Sequence, residues 1–222
     1  MKIESFPRKL FLFRNNLCMF AQTQNELHNM KHMSILAVSL LALVACTPEK
    51  KQEADYSQYV NPMIGTDFTG NTYPGAQVPF GMVQLSPDNG LPGWDRISGY
   101  FYPDTTIAGF SHTHLSGTGA GDLYDISFMP VTRPYKEAPA PLGIYSTFSH
   151  NDEAASAGYY RVLLKDYNIT VDLTATERCG IQRYTFPEAE ASVFLNLKKA
   201  MNWDFTLDSK IEVVDSTTIR GY

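Results

Sequence analysis

Between Gly93 and Asp122 the sequence concentrates groups that could do chemistry. This window holds one of two tryptophans, two of five histidines and six of fifteen glycines. Its first part reads Gly93-Trp94-Asp95, a large aromatic between a residue of free backbone and a carboxylate. Trp94 either offers its face to a ligand or folds back onto the core. Asp95 either accepts hydrogen bonds from a ligand's hydroxyls or closes an Asx-turn. Further on, His112 and His114 stand two apart, so on a strand they would share a face. With a carboxylate they could ligate a metal; otherwise they hydrogen-bond structurally or line a pocket. Gly109-Phe110-Ser111-His112-Thr113 nearly matches the nucleophile elbow GxSxG, but Thr113 stands at the final glycine. Gly117-Thr118-Gly119-Ala120-Gly121-Asp122 invites a phosphate reading. Asp122 replaces the third glycine of GxGxxG, no lysine follows, and an acid repels phosphate. A loop that needs backbone freedom is the plainer reading. Asp67, Asp88, Asp95, Asp122 and Asp125 are candidate acids and bases, but their spacing singles out no pair.

The elements that must position these groups read as strands. Val78–Leu85, Ile107–Ser111 and Leu123–Val131 are expected strands, with turns over 86–93. Period-two alternation is clearest in 159–165 and 169–176, joined by Asp166-Tyr167-Asn168, and continues in 178–186 and 192–197. Residues 210–219 give a last strand, with Ile211, Val213 and Ile219 inward, and Cys179 reads as a buried small hydrophobe in mid-strand. Many short strands, turn signals every eight to twelve residues and almost no 3.6 period predict an antiparallel sandwich. The chain reaches Tyr222 in or just after a strand, so the sandwich is expected to be incomplete at its C-terminus.

Composition bounds the partners. The 222 residues are 44% hydrophobic and 13% aromatic, enough for a sizeable core. A net charge of −5 argues against nucleic acid held by a basic patch. Three cysteines supply neither a disulfide framework nor a zinc pair. Residues 34–46 form an apolar run too short for a transmembrane helix but suited to a signal peptide. The run ends in Leu43-Val44-Ala45-Cys46, which resembles the lipobox of bacterial lipoproteins. That resemblance implies cleavage before Cys46, acylation of its thiol, and a lipid anchor in the outer membrane facing the periplasm or the cell surface. The expected organisation is an upstream mis-start over 1–29, a lipoprotein signal over 30–45, a polar tether over 46–57 and a folded domain over 58–222.

Within that domain several words occur together. They are Tyr59-Val60-Asn61-Pro62-Met63-Ile64-Gly65-Thr66, Asn71-Thr72-Tyr73-Pro74-Gly75-Ala76, Val78-Pro79-Phe80-Gly81-Met82-Val83-Gln84-Leu85-Ser86-Pro87-Asp88, Gly93-Trp94-Asp95 and Gly109-Phe110-Ser111-His112-Thr113-His114. In order and spacing they resemble the N-terminal domain of glycoside hydrolase family 92, exported bacterial exo-acting α-mannosidases. The resemblance implies an all-β fold, an antiparallel β-supersandwich of the galactose-mutarotase-like kind, which packs on a C-terminal (α/α)6 barrel. It implies an inverting, calcium-dependent reaction on α-mannoside glycans. The acid, base and calcium ligands would lie in the barrel, outside this sequence, so no catalytic residue and no metal ligand is carried over. Trp94 takes, by position, the role of the family's mannose-contacting tryptophan. Gly93, Asp95, His112 and His114 are the neighbouring candidates for substrate binding. The alternatives are a stand-alone mannose-glycan-binding lipoprotein module and an inactive truncation product.

Overall fold

The computed structural model describes residues 54–121, 123–197 and 205–222. The expected signal segment, Cys46 and Asp122 lie outside the described residues. In chain order the strands are β1 (Ser86–Asp88), β2 (Thr106–Ile107), β3 (Gly109–Ser111) and β4 (Ser127–Thr132). Next come the short β5 (Glu137–Ala138), β6 (Gly143–Ile144) and β7 (Ser146–Thr147). Four strands then follow closely: β8 (Glu153–Ser156), β9 (Tyr159–Leu164), β10 (Ile169–Ala175) and β11 (Gly180–Thr185). The last are β12 (Ala191–Asn196), β13 (Ile211–Val213) and β14 (Ile219–Gly221).

Two four-stranded antiparallel sheets result, in the orders β1-β3-β4-β12 and β11-β10-β9-β8. The second is a meander of sequential neighbours, and alternation explains it. Ile169, Val171, Leu173 and Ala175 of β10 point inward with Tyr160, Val162 and Leu164 of β9. They pack against Leu85, Phe110, Met129 and Val131 from the first sheet's side. On the outer face Asp172 lies opposite Arg161 on one neighbour and Arg183 on the other. Arg183 donates to its carboxylate at 3.0 and 3.1 Å, and the Tyr159 hydroxyl donates to it as well. Opposite charges placed directly across a sheet favour this register over its neighbours. Asn168 closes the β9–β10 turn at φ 52°, a left-handed conformation that asparagine tolerates.

The structure corrects several expectations. Residues 78–84 are not a strand. Phe80 takes φ 59° and the Gly81 amide bonds to the Val78 carbonyl, so this stretch turns and pairing begins at Leu85. Ser86–Asp88, read as turn, is β1. Residues 123–126 are irregular, with Tyr124 and Ile126 at positive φ, and β4 starts only at Ser127. Residues 210–219 form a hairpin, not one strand, because Asp215 accepts from the Thr217 amide and hydroxyl and turns the chain. Its Ile211, Val213 and Ile219 are exposed. Cys179 lies exposed in the β10–β11 turn, where Thr176 bonds both its amide and its carbonyl. β8 escaped notice because Glu-Ala-Ala-Ser carries little strand propensity; it forms by pairing with β9 across a turn at Gly158.

Two predictions follow from the meander. Leu173→Ala removes a side chain with no solvent exposure and is expected to cost about 2–5 kcal/mol in denaturant unfolding. The second concerns pH. Burial pushes the Asp172 carboxyl up, but Tyr159, Arg183 and Arg161 outweigh it and hold it below the ordinary carboxylate value. Asp166 is likewise raised by burial and lowered further by Lys136 and Thr147. A carboxyl depressed in the folded state stabilises at neutral pH, and this contribution fades as pH falls below the unfolded value of about 3.9. The unfolding midpoint is therefore expected to drop in acid, and less steeply in Asp172→Asn. An identical acid limb in that variant would remove Asp172 from the account.

Candidate functional site

Trp94 opens a single 3-10 turn, Trp94–Arg96, in the segment between β1 and β2. Gly93 enters the turn at φ 144°, a conformation that L side chains rarely adopt. The Ile97 amide bonds back to the Trp94 carbonyl at 3.3 Å and the Arg96 amide to Gly93 at 3.1 Å. Arg96 then anchors the turn. Its Nε donates to Asp104 Oδ2 at 2.6 Å, its Nη2 donates to Oδ1, and its guanidinium lies 4.9 Å from the Phe101 ring centroid. The hydrogen bond to Asp104 raises the Arg96 pKa, and the guanidinium stays charged. Below it Ile97 is fully buried, and Ser98 donates to the Thr72 carbonyl at 3.0 Å. On this base Trp94 remains 54% exposed, with Asp95 exposed beside it. The indole is thus held out from the surface rather than folded onto the core.

The two histidines do not share a face. β3 ends at Ser111, so the strand argument fails for both. His112 is partly buried; Nδ1 meets the Ile126 carbonyl at 3.0 Å and the ring lies edge-on to Phe128. Burial lowers its pKa more than the Ile126 contact raises it. It borders a cavity of about 240 Å³ with Ile126, Phe128, Leu195 and the β13–β14 hairpin. Gly180 must be glycine for this placement, because a Cβ there would come within 2.8 Å of the His112 ring.

His114 is buried instead. Its Nδ1 meets the Gln84 carbonyl at 2.9 Å and its Nε2 meets Asp88 Oδ1 at 2.9 Å. Ser111 donates to the same Asp88 oxygen at 2.9 Å, and Ser127 to the other at 3.2 Å. Serine, histidine and aspartate therefore converge, yet not as a hydrolytic triad. In a triad the histidine bridges serine and carboxylate. Here the carboxylate is the bridge, Ser111 Oγ stands 3.5 Å from His114 Nε2, and all three side chains are shut away from solvent. Sequence spacing could not find Asp88, which lies 26 residues from His114. Among the described residues no group of three or more His, Cys, Asp or Glu side chains could hold a metal ion.

The site thus divides. Gly93, Trp94 and Asp95 present one exposed turn, His112 edges a separate small cavity, and His114 belongs to the buried framework. The fold that carries them is an antiparallel β-sandwich. Sequence comparison gives its family: the model of the glycosyl hydrolase family 92 N-terminal domain matches residues 59–222. The chain belongs to glycoside hydrolase family 92. It is similar to an α-mannosidase of that family from Bacteroides thetaiotaomicron, solved in complex with mannoimidazole. Identity is 42% and the TM-score 0.70, over 74% of this chain and 22% of that one. An inverting mannosidase from the same organism shares 33% identity at a TM-score of 0.54, over 64% of this chain and 20% of that one. An uncharacterized secreted glycosidase of Arthroderma benhamiae is 26% identical over 172 residues, 73% of this chain and 21% of that protein. The chain spans about a fifth of the length of these relatives. No helix among the described residues is long and apolar enough to cross a membrane.

Asp88 is the shared acceptor of Ser111, Ser127 and His114, so its removal takes that acceptor from three buried groups at once. Asp88→Ala is therefore expected to cost about 3 kcal/mol or more of stability and Ser111→Ala about 1 kcal/mol, both read from denaturant unfolding. Equal losses in the two variants would show that Asp88 is not the hub.

Proposed function

We propose that this chain supplies the sugar-contacting wall of an exo-acting, inverting α-mannosidase that trims mannose from glycans. The observation that carries the reading is the exposed Trp94, clamped on a short turn in a domain whose solved relatives are mannosidases. A pyranose has an apolar C–H face, and an indole offers it a broad rigid surface with one N–H donor. Asp95 beside it is suited to accept hydrogen bonds from sugar hydroxyls. Inversion needs two carboxyl groups about 6.5–9.5 Å apart with a water between them. Asp88 cannot serve, being buried and bonded to His114, Ser111 and Ser127. In this reading the acid, the base and the calcium belong to the further polypeptide that the relatives possess. We also propose that Cys46 carries a lipid anchor that holds the enzyme at the outer membrane. It follows that Cys46→Ala should abolish labelling by radioactive palmitate, and labelling retained in that variant would refute the anchor.

In a polypeptide of the relatives' full length, Trp94→Ala is expected to lower kcat/KM on an α-mannoside by about tenfold or more, the loss of one stacking contact. An unchanged kcat/KM would remove Trp94 from the site. Arg96→Ala, which frees the turn but keeps the indole, is expected to weaken the same parameter by a smaller factor.

A further inference from the structure

A second cluster of polar groups surrounds His150 and Glu153. His150 is engaged at both ring nitrogens. Nδ1 lies 2.6 Å from Glu153 Oε2, and Nε2 lies 2.7 Å from the Tyr102 carbonyl oxygen. Tyr102 also stacks on the imidazole, with centroids 3.9 Å apart and planes 7° from parallel, while Phe148 meets the ring edge-on. The Glu153 side chain is 1% exposed. It accepts further hydrogen bonds from Tyr100, at 2.9 and 3.0 Å, and from Tyr160 at 2.5 Å.

A carbonyl oxygen only accepts, so Nε2 carries a proton. At the other nitrogen a lone pair cannot face an ionised carboxylate, so the Nδ1–Oε2 contact holds only while one proton is shared between imidazole and carboxyl. The phenols cannot change this count. Burial, and then the charge of Glu153, push the Tyr100 and Tyr160 hydroxyls well above the ordinary tyrosine value, which leaves them as permanent donors. Other charged groups close to the pair are Asp152, which ends the same short turn as His150, Asp104, which acts on Tyr100, and Arg96, which pairs with Asp104. One exchangeable proton therefore lies between His150 and Glu153. The His150 side chain is 30% exposed, so solvent can add or remove it.

We propose that His150 and Glu153 form a proton-dependent latch, which holds the Tyr100–Asp104 segment, and with it the Trp94 turn, against the start of the meander. Loss of the proton leaves one ring nitrogen with a lone pair facing an acceptor. Either the Tyr102 carbonyl loses its donor, or Glu153 loses the imidazole and keeps only the Tyr100 and Tyr160 hydroxyls; the stacked Tyr102 face also loses its positive partner. The segment keeps its bond from the Tyr102 amide to the Thr66 carbonyl and the Arg96 clamp, so it loosens without unfolding. The latch concerns the order of this segment and holds whether or not Trp94 binds a sugar.

Amide hydrogen exchange on the 222-residue protein tests it. Protection factors at Tyr102 and Asp104 are compared at about pH 5.5 and pH 8.5, which bracket histidine titration. Protection is expected to fall about tenfold at the higher pH, the weight of one charge-assisted hydrogen bond. In His150→Phe, which keeps a stacking ring without its protons, the pH dependence should vanish. Protection that is flat with pH in the wild type overturns the latch, as does a dependence that survives in His150→Phe. Should that variant fail to fold, nitrogen-15 spectra of the wild-type imidazole decide. Two protonated ring nitrogens at the lower pH and one at the higher support the latch. A ring whose protonation does not change across this range refutes it.

Discussion

A carboxylate without access to water must have its charge met by its immediate neighbours, and the Asp88 carboxylate imposes that condition on the first sheet. Three groups around it come from separated parts of the chain: β1 brings the acid, β3 and β4 bring the two serines, and the segment after β3 brings His114. Desolvating such a group costs several kcal/mol, so a misregistered first sheet would strand a bare charge. His114 extends the condition outward, since its other nitrogen is tied to Gln84 just before the sheet. The loops that reach the exposed end of the sandwich thus start from fixed points. The stability of the network and the placement of the loops are one property.

How much of this is legible in the sequence depends on whether the cause is local. The meander follows from alternation, which acts between nearest neighbours, and β9, β10 and β11 stand where their patterns place them. The loop end follows different rules. Phe68, Phe80, Tyr124 and Ile126 take positive φ, a conformation that bulky side chains disfavour and that residue type therefore does not announce. Local propensity therefore misplaced the start of β1 and of β4. The histidine argument failed for a related reason: it assumed a strand that ends one residue too early. Trp94 stood out by its type, but type alone left open whether it faced outward or folded back, and its exposure came only with the structure. Its clamp was not legible, because Arg96 and Asp104 meet only after the segment between them folds over.

The two sheets supply the site with different kinds of rigidity. The first sheet fixes its loops through a buried charge. The second holds the segment after Trp94 through Tyr100, whose hydroxyl donates to the Glu153 carboxylate. Glu153 stands at the first position of β8, the strand with the weakest local signal. A poor strand former is tolerated there because its side chain satisfies two inward-pointing phenols that would otherwise be buried without acceptors.

The order of the strands has a kinetic side. The meander is made of hairpins, each closing over a few residues, whereas β12 returns to pair with β4 from about sixty residues away. Between those two partners the whole meander is inserted. If the meander stays collapsed when β12 arrives, the effective loop is far shorter than the sequence separation. The second sheet then acts as a splint for closing the first, and a long-range pairing is brought within reach of its partner.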